Sequence, residues 1–369
     1  MWRATLSEAD MAWLGAGATD RKPVYNPLGL DKGLSRAKVP ARRMALGSLL
    51  LETTIPDQFR QPLDLLTFER FDRFRRSLHM VLGPNGRLWL AIESDTALSV
   101  LSLDLSDWRK DSPIRILYGW DLARATCWLG AECLDSGAVK SVTAAEPAAI
   151  HEEDLARVLF AVEGPALAPD VGCFAFADHV EPLGYAEGLA PGALVETEYG
   201  PRAIENLRPG TLIATQTGAL SPLLANIRST LPAVGQMAPL RLRRPFQNLR
   251  QTLEATPRCE IVTQGIDTSY LFGAEHVTVR AMHIAPFLPG ASPCLNLLST
   301  RHNLVLADHT PYRVAGIAVM PLARNHRAEH GASTRLSHLK ADDIPARDGT
   351  GPASLLRHEA IALLSERYL

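Results

Sequence analysis

The residues best suited to nucleophilic chemistry in this sequence are its five cysteines, which are accompanied by eleven histidines. A thiol becomes a strong nucleophile when a nearby imidazole takes its proton. Cys259 together with His302 or His283 could form such a pair, and chance co-occurrence of the two residue types explains the same observation. The choice depends on geometry, so the pair stays an open alternative.

The spacing of the cysteines and histidines gives no sign of a metal site. The cysteines are widely separated and form no Cys-x-x-Cys pair. We therefore expect reduced, mostly buried thiols rather than a disulfide scaffold. A zinc site built from Cys259, His276, His283 and His302 would lack the close ligand spacing typical of zinc sites. The sequence predicts no bound metal and no cofactor.

The charge balance gives no electrostatic reason to expect a nucleic-acid or membrane-surface partner. The 369 residues carry 38 Lys and Arg against 40 Asp and Glu, a net charge of −2. No stretch reaches the roughly 18 apolar residues of a membrane helix, so we predict no membrane span. Glu8 and Asp10 interrupt the N-terminal segment, which is therefore no signal peptide. We expect a cytoplasmic protein, or one exported without a cleavable signal peptide.

The elements that would position these residues are mostly short strands. Residues 1–43 are rich in turn residues, which predicts an irregular arm. Short alternating runs then follow at regular intervals, and Gly83–Gly86 has the composition of a hairpin turn. This pattern predicts an antiparallel β-sandwich over residues 44–185. Within it, Phe68–Arg76 is predicted as strand and His151–Phe160 as helix.

The order of features in this half resembles a lectin-like sandwich of the concanavalin or laminin-G type. The hairpin LHMVLGPNGRLWLAI, the strand ILYGWD and a following strand that ends in an Asp-Ser-Gly turn carry the resemblance. It implies that a protein or glycan partner could bind through the sandwich. Trp89, Trp108, Trp120 and Trp128 could stack on a sugar, although packing in the core or at its rim is the commoner role of tryptophans on strands.

A second pattern starts near residue 188. It contains a strand (Ala193–Glu198), a turn, a link, a Pro-Gly turn and a second strand (Thr211–Thr215). This block resembles the opening of the Hint family of hedgehog autoprocessing and intein domains, in particular its bacterial hedgehog/intein-type members. The matching positions are Gly192, Ala193, Thr197, Gly200, Ile204–Leu207 and Pro209–Thr211.

The resemblance implies self-cleavage chemistry whose first residue is missing here. In the family, a Cys at the first position attacks the carbonyl of the preceding residue and converts an amide into a thioester. A His and a Ser or Thr of a second block assist this step. This chain has Gly188 at the first position, and glycine has no side chain that could attack. We therefore predict that the chain is not cleaved between Glu187 and Gly188.

Two segments could supply the second block. Ser299–His302 matches it fully and is flanked by apolar residues, so we prefer it. In the alternative segment, Thr256–Cys259, Cys259 replaces the His. The predicted site positions are therefore Gly188, Ser299 and His302, with Cys259 in the alternative alignment. A strand histidine with an ordinary hydrogen bond is an equally good interpretation of His302.

These patterns together predict a mostly β protein. An irregular arm (1–43) precedes the lectin-like sandwich (44–185), and an all-β Hint-like domain (186–322) precedes a polar linker with a C-terminal amphipathic helix (323–369). The favoured function is a binding or structural module with a degenerate autoprocessing site. The alternative is self-processing through a thioester formed by an atypical residue, Cys173 or Cys259, so enzymatic activity stays undecided.

Overall fold

The computed structural model describes most of the chain and divides it into two compact units. The described residues are 11–35, 37–57, 60–94, 97–162, 164, 166–184, 187–244, 248–287, 296–322, 334–335, 339 and 351–368. The first unit comprises residues 1–184 and 326–335, and the second comprises residues 185–325 and 336–369. The chain is mostly β, as the sequence predicted.

The first unit contains thirteen strands and one α-helix among its described residues. They are β1 (Trp13–Ala18), β2 (Arg21–Tyr25), β3 (Arg43–Met44), β4 (Leu46–Thr54), β5 (Leu63–Phe71), β6 (Arg75–Leu82), β7 (Arg87–Ser94), β8 (Ala97–Asp104), β9 (Pro113–Asp121), β10 (Thr126–Cys133), β11 (Val139–Ala145), β12 (Ile150–His151), α1 (Glu152–Phe160) and β13 (Cys173–Ala177). The predicted helix is present as α1. The prediction of one strand over Phe68–Arg76 is wrong, because β5 ends at Phe71, residues 72–74 form the hairpin turn and β6 begins at Arg75.

Two antiparallel sheets form the sandwich of this unit. A seven-stranded sheet has the order β11-β10-β9-β4-β13-β1-β2, and a four-stranded sheet has the order β5-β6-β7-β8. Their inner faces share one apolar core, to which Leu49 and Ile116 contribute from the larger sheet and Met80 and Leu90 from the smaller. In β8 every second residue is buried, which is the pattern of a strand with one face on a core.

The prediction of an irregular arm over residues 1–43 is wrong for residues 13–25. β1 pairs with β13 and with β2, so this segment completes the edge of the seven-stranded sheet. The turn residues Thr19 and Asp20 form the hairpin turn that joins the two strands. Gly15 is needed in β1 because an added Cβ would lie 2.4 Å from the Phe176 ring. The sequence pattern hid the strand because glycine and alanine replace the usual large apolar residues.

The second unit contains twelve strands and three α-helices among its described residues. They are β14 (Leu194–Thr197), β15 (Gly200–Ala203), β16 (Leu212–Ala214), β17 (Leu220–Pro232), β18 (Leu240–Leu242), β19 (Leu253–Ala255), β20 (Glu260–Gln264), α2 (Ile266–Phe272), β21 (His276–Arg280), α3 (Ala281–Ile284), β22 (Leu298–Leu306), β23 (Tyr312–Val314), β24 (Ile317–Val319), β25 (Ala353–Ser354) and α4 (Arg357–Tyr368).

A ten-stranded sheet runs through this unit. Its order is β22-β17-β16-β14-β23-β24-β20-β21-β25, with β15 on β14, and β18 pairs with β19 separately. Val195 near the start of the unit pairs with Val314 near the end of residues 186–322. The predicted C-terminal helix is present as α4 and buries Ala360, Leu363 and Leu364 in the core. β25 and α4 therefore complete this unit, whereas most of the predicted polar linker lies outside the described residues.

No helix among the described residues is both long enough and apolar enough to cross a lipid bilayer.

Candidate functional site

The extended segment from Gly188 to Ala190 lies between β19 and β22, and Leu189 forms a β-bridge with each of them. The N–H of Leu189 donates to the carbonyl of His302 at 2.9 Å, and the N–H of His302 donates back at 2.8 Å. On the other side, the N–H of Ala190 donates to the carbonyl of Glu254 at 2.9 Å. The segment therefore bridges two strands that are distant in sequence, and we call it the junction.

The peptide bond between Glu187 and Gly188 is hydrogen-bonded at both ends. The N–H of Gly188 donates to Oγ1 of Thr256 at 3.0 Å. The side-chain amide of Asn303 donates to the carbonyl oxygen of Glu187 at 3.3 Å. The N–H of Thr256 also donates to the carbonyl of Gly188 at 3.0 Å. Because Thr256 and Asn303 are buried, these bonds are shielded from competing water.

There is no room for a side chain at residue 188. An added Cβ would lie 2.6 Å from the carbonyl oxygen of His302 and 3.0 Å from its carbonyl carbon. These are backbone atoms of a paired strand, so they cannot rotate aside as a flexible side chain could. The φ angle of Gly188 is +152°, which also disfavours any residue with a Cβ. The backbone geometry therefore disfavours any side chain at residue 188, including a nucleophilic one.

Cys259 is brought close to the junction but is poorly suited to chemistry there. Its N–H donates to the carbonyl of Thr256 at 3.0 Å, so the segment Thr256–Cys259 turns tightly beside Gly188. Burial raises the pKa of the Cys259 thiol to about 12, and the carboxylates of Glu260 and Glu187 add to the shift. At neutral pH the group is a buried neutral thiol, which is neither a nucleophile nor a proton donor of useful strength.

His302 contributes its backbone to the junction, while its imidazole hydrogen-bonds elsewhere. Nδ1 of His302 lies 3.0 Å from Oδ1 of Asn226. The amide nitrogen of Asn226 donates to the carbonyl of Ile204 at 2.8 Å, so its oxygen faces His302 and Nδ1 is the donor. Burial lowers the pKa of His302, Arg228 lowers it further and Glu205 opposes the shift. Among the described residues, no hydrogen bond joins this imidazole to the Glu187–Gly188 peptide or to Cys259.

The structure separates Ser299 from the junction. Ser299 pairs with Leu231 on β17, three positions before His302. Residues three apart on a strand point to opposite faces of the sheet, so Ser299 and His302 do not form a joint site. The hydroxyl that contacts Gly188 belongs instead to Thr256, which lies in the alternative segment Thr256–Cys259. The structure thus brings together Gly188, Thr256 and Cys259.

Two polar residues of the site were missed by sequence reasoning. Asn303 donates to the carbonyl of Glu187, and Asn226 holds the imidazole of His302. Asn303 directly follows the preferred block, so its position was a usable signal. Asn226 lies in an alternating strand run without any motif, and only the pairing of β17 with β22 places it beside His302.

Cys173, the other candidate nucleophile, lies within the first unit. It sits on β13 beside Glu52, and its thiol donates to a carboxylate oxygen of Glu52 at 3.4 Å. Arg115 forms ion pairs with Glu52 at 2.7 Å and with Glu132 at 2.9 Å, so the carboxylate is held in a buried charge network. Burial and Glu52 raise the pKa of Cys173 well above the usual value.

Within the described ranges, no cluster of three or more His, Cys, Asp or Glu side chains is arranged to hold a metal ion.

We predict that Gly188→Ala destabilises the second unit by about 3 kcal/mol, because the new methyl group meets the His302 backbone and the φ angle is unfavourable. Urea unfolding followed by circular dichroism measures this loss. Gly192→Ala is the matched control, since Gly192 also has a positive φ (+84°) but open space where its Cβ would sit. It should cost only about 1 kcal/mol. Equal losses for the two variants would show that the junction has room for a side chain.

Comparison with known proteins finds a family match within the second unit. Residues 187–312 match the Hint domain family. A search of curated proteins finds no match.

Solved structures give only loose similarities. The CBM40 domain of a Ruminococcus gnavus IT-sialidase is 11% identical, with a TM-score of 0.27 over 37% of this chain and 78% of that chain. The leech intramolecular trans-sialidase is 12% identical, with a TM-score of 0.28 over 58% of this chain and 32% of that chain. TM-scores this low support no argument about ligands. The family match, in contrast, starts one residue before Gly188 and encloses the junction, so residues 187–312 of this chain are a Hint domain.

Proposed function

We propose that the Hint domain of this chain does not cleave itself and serves as a binding or structural module. The observation that carries the proposal is the closed junction, where the backbone of His302 occupies the space that a nucleophilic side chain at residue 188 would need. Cleavage through a thioester requires a thiol within reach of the Glu187 carbonyl carbon. Gly188 offers none, and an added side chain would collide with the paired strand.

The remaining contacts of the junction support a structural role. Asn303 donates to the Glu187 carbonyl, which is the kind of contact that would polarise an amide for attack. Thr256, however, accepts the N–H of Gly188, and no described group stands ready to protonate that nitrogen as a leaving group. Without a nucleophile and an acid, the same hydrogen bonds stabilise an intact peptide. These hydrogen bonds hold the start of the domain against Thr256, which follows β19, and against Asn303 on β22.

Self-processing through an atypical cysteine receives little support from the geometry. Cys259 has its pKa raised to about 12, so it is protonated at neutral pH. Cys173 is buried in the first unit, next to a carboxylate that further disfavours the thiolate. Neither residue combines a thiolate with an exposed carbonyl target.

Intact mass spectrometry of the full-length chain tests the proposal. After a day at neutral pH, with or without a strong thiol, we expect one species at 40.2 kDa. Gly188→Cys alone, and combined with Cys259→His, should remain uncut because the His302 backbone still blocks the site. Thiol-dependent fragments of the natural chain would refute the proposal, and Cys173→Ala and Cys259→Ala would then identify the nucleophile. Cleavage of Gly188→Cys alone would show that the site lacked only a nucleophilic side chain. It would contradict the proposal that the His302 backbone leaves no room for one.

A second candidate function is glycan binding by the first unit, and the position of Trp89 favours it. Trp89 lies on β7 between the buried residues Leu88 and Leu90, so its ring projects from the outer face of the four-stranded sheet. The ring packs over Gly83 and stays partly exposed. Its partner on β8 is Ser102, and the exposed Val100 lies two residues along on the same face. A partly exposed indole on the outer face of a sheet is suited to stacking on a sugar ring.

The structure removes two of the four tryptophans from this hypothesis. Trp120 and Trp128 are fully buried, and the indole N–H of Trp120 donates to the carbonyl of Met44 at 3.1 Å. Trp120 packs in the core of the sandwich. Trp128 follows Cys127, the residue that pairs with Trp120, so it lies on the opposite face of the sheet, where its ring packs over Gly119 and Gly130. Neither ring is accessible to a sugar.

Glycan-array screening tests this candidate. If the outer face binds a sugar, Trp89→Ala should weaken binding by about 1–3 kcal/mol, the range typical of an aromatic stacking contact. Trp108→Ala is the matched control, because Trp108 is also partly buried but stacks beneath the amino group of Lys140 at 5.9 Å. An array on which the natural chain binds no glycan, or equal binding by both variants, would contradict this function.

A further inference from the structure

A cavity of about 660 Å³ lies on the second unit, away from the core side of its ten-stranded sheet. Its floor is a row of side chains that crosses four strands. Val195 pairs with Val314, so Glu196 lies beside Arg313; Arg313 pairs with Ala318, and Ala318 with Val262. The neighbouring residues Val195, Val314 and Val319 point the other way, into the core. We call this cavity the cleft.

Two glycines allow the walls of the cleft to approach its floor. On one side, Gly316 lies under the 248–250 loop, where an added Cβ would be 2.2 Å from the carbonyl oxygen of Asn248. On the other side, Gly265 lies under Arg367, whose guanidinium would be 2.7 Å from an added Cβ. Arg367 is fixed there by Asp267 at 3.0 Å and by the carbonyl of Gln264 at 3.1 Å. The walls are therefore held by specific contacts.

The cleft is lined by three arginines and three carboxylates, and two of these charges are left unneutralised. Arg367 pairs with Asp267, and Arg250 lies 3.5 Å from Glu196. Arg313 uses one N–H on the carbonyl of Gln216 at 3.1 Å. Among the described residues, no carboxylate lies within ion-pair distance of Arg313, and no cation lies within that distance of Glu366. One positive and one negative group thus remain available to a ligand.

The lining indicates the chemical class of that ligand. It contains no aromatic ring among the described residues, so a sugar or a nucleobase would find no stacking surface. Three arginines and three carboxylates balance each other, so the cleft has no excess positive charge to attract a polyphosphate or another polyanion. Opposite free charges, side-chain amides and a small apolar floor suit a peptide, and the volume lies within the ~300–1,000 Å³ of ligand pockets.

We infer that the cleft binds a short peptide with a free carboxyl terminus, whose carboxylate pairs with Arg313 and whose Lys or Arg side chain pairs with Glu366. Arginine holds a carboxylate with two parallel hydrogen bonds when its donors are free, and most donors of Arg313 are. This inference rests on the proposed role of the Hint domain as a binding module. The two can fail separately, because intact mass tests cleavage and peptide capture tests the cleft.

The test is capture from a randomised tetrapeptide pool on the immobilised full-length chain, with the retained peptides quantified by mass spectrometry. We expect enrichment of peptides with free carboxyl termini and a bias towards basic residues. A pool with amidated carboxyl termini should be retained at least tenfold less. Arg313→Gln should lower capture of the free-acid pool by a similar factor, and Glu366→Gln should remove the basic bias.

Arg202→Gln is the matched control, because Arg202 is another exposed arginine of the same unit that lies outside the cleft and stacks on Tyr199. It should retain the full capture of the natural chain. Since Arg313 is exposed, its replacement leaves the fold intact, which circular dichroism checks. No enrichment on the natural chain, equal capture by Arg313→Gln, or equal capture of the amidated pool would each overturn the inference.

Discussion

The pairing of Leu189 with His302 is the constraint on which the Hint domain depends. It brings the start of the domain against β22, while the bond from Ala190 to Glu254 ties the same segment to β19. The pairing places the His302 carbonyl where a side chain at residue 188 would be, so only glycine fits. One backbone contact therefore fixes the fold of the junction and leaves no room for a side chain at residue 188.

The polar groups around the junction can be understood as a consequence of its burial. Buried peptide groups need hydrogen-bond partners, and an unpaired one costs about 1–3 kcal/mol. Thr256 and Asn303 satisfy the N–H of Gly188 and the carbonyl of Glu187. These contacts would be retained for stability even where catalysis is absent. A Hint domain without self-cleavage activity would thus keep these residues, because their hydrogen bonds also stabilise the buried start of the domain.

The sequence predicted the parts of the fold that local pattern determines. Alternating strands, the Asn85-Gly86 turn and helix α1 all follow from short-range rules, and all are present. The edge strand β1 was missed because Gly15 and Gly17 give no hydrophobic alternation. The contact of Thr256 with Gly188 joins residues 68 positions apart, and no local signal marks it. Because Cys259 stands where the family has a His, the sequence favoured the block Ser299–His302 over Thr256–Cys259. In the structure, however, Ser299 and His302 point to opposite faces of β22.

Amide hydrogen exchange of the full-length chain tests the closed junction most directly. Hydrogen-bonded amides in a buried strand exchange only through large unfolding events, whereas a loosely attached segment exchanges in seconds. We predict that the amides of Gly188, Leu189 and His302 are as strongly protected as the core strands of the Hint domain. Rapid exchange at Gly188 and Leu189, with β22 still protected, would contradict it.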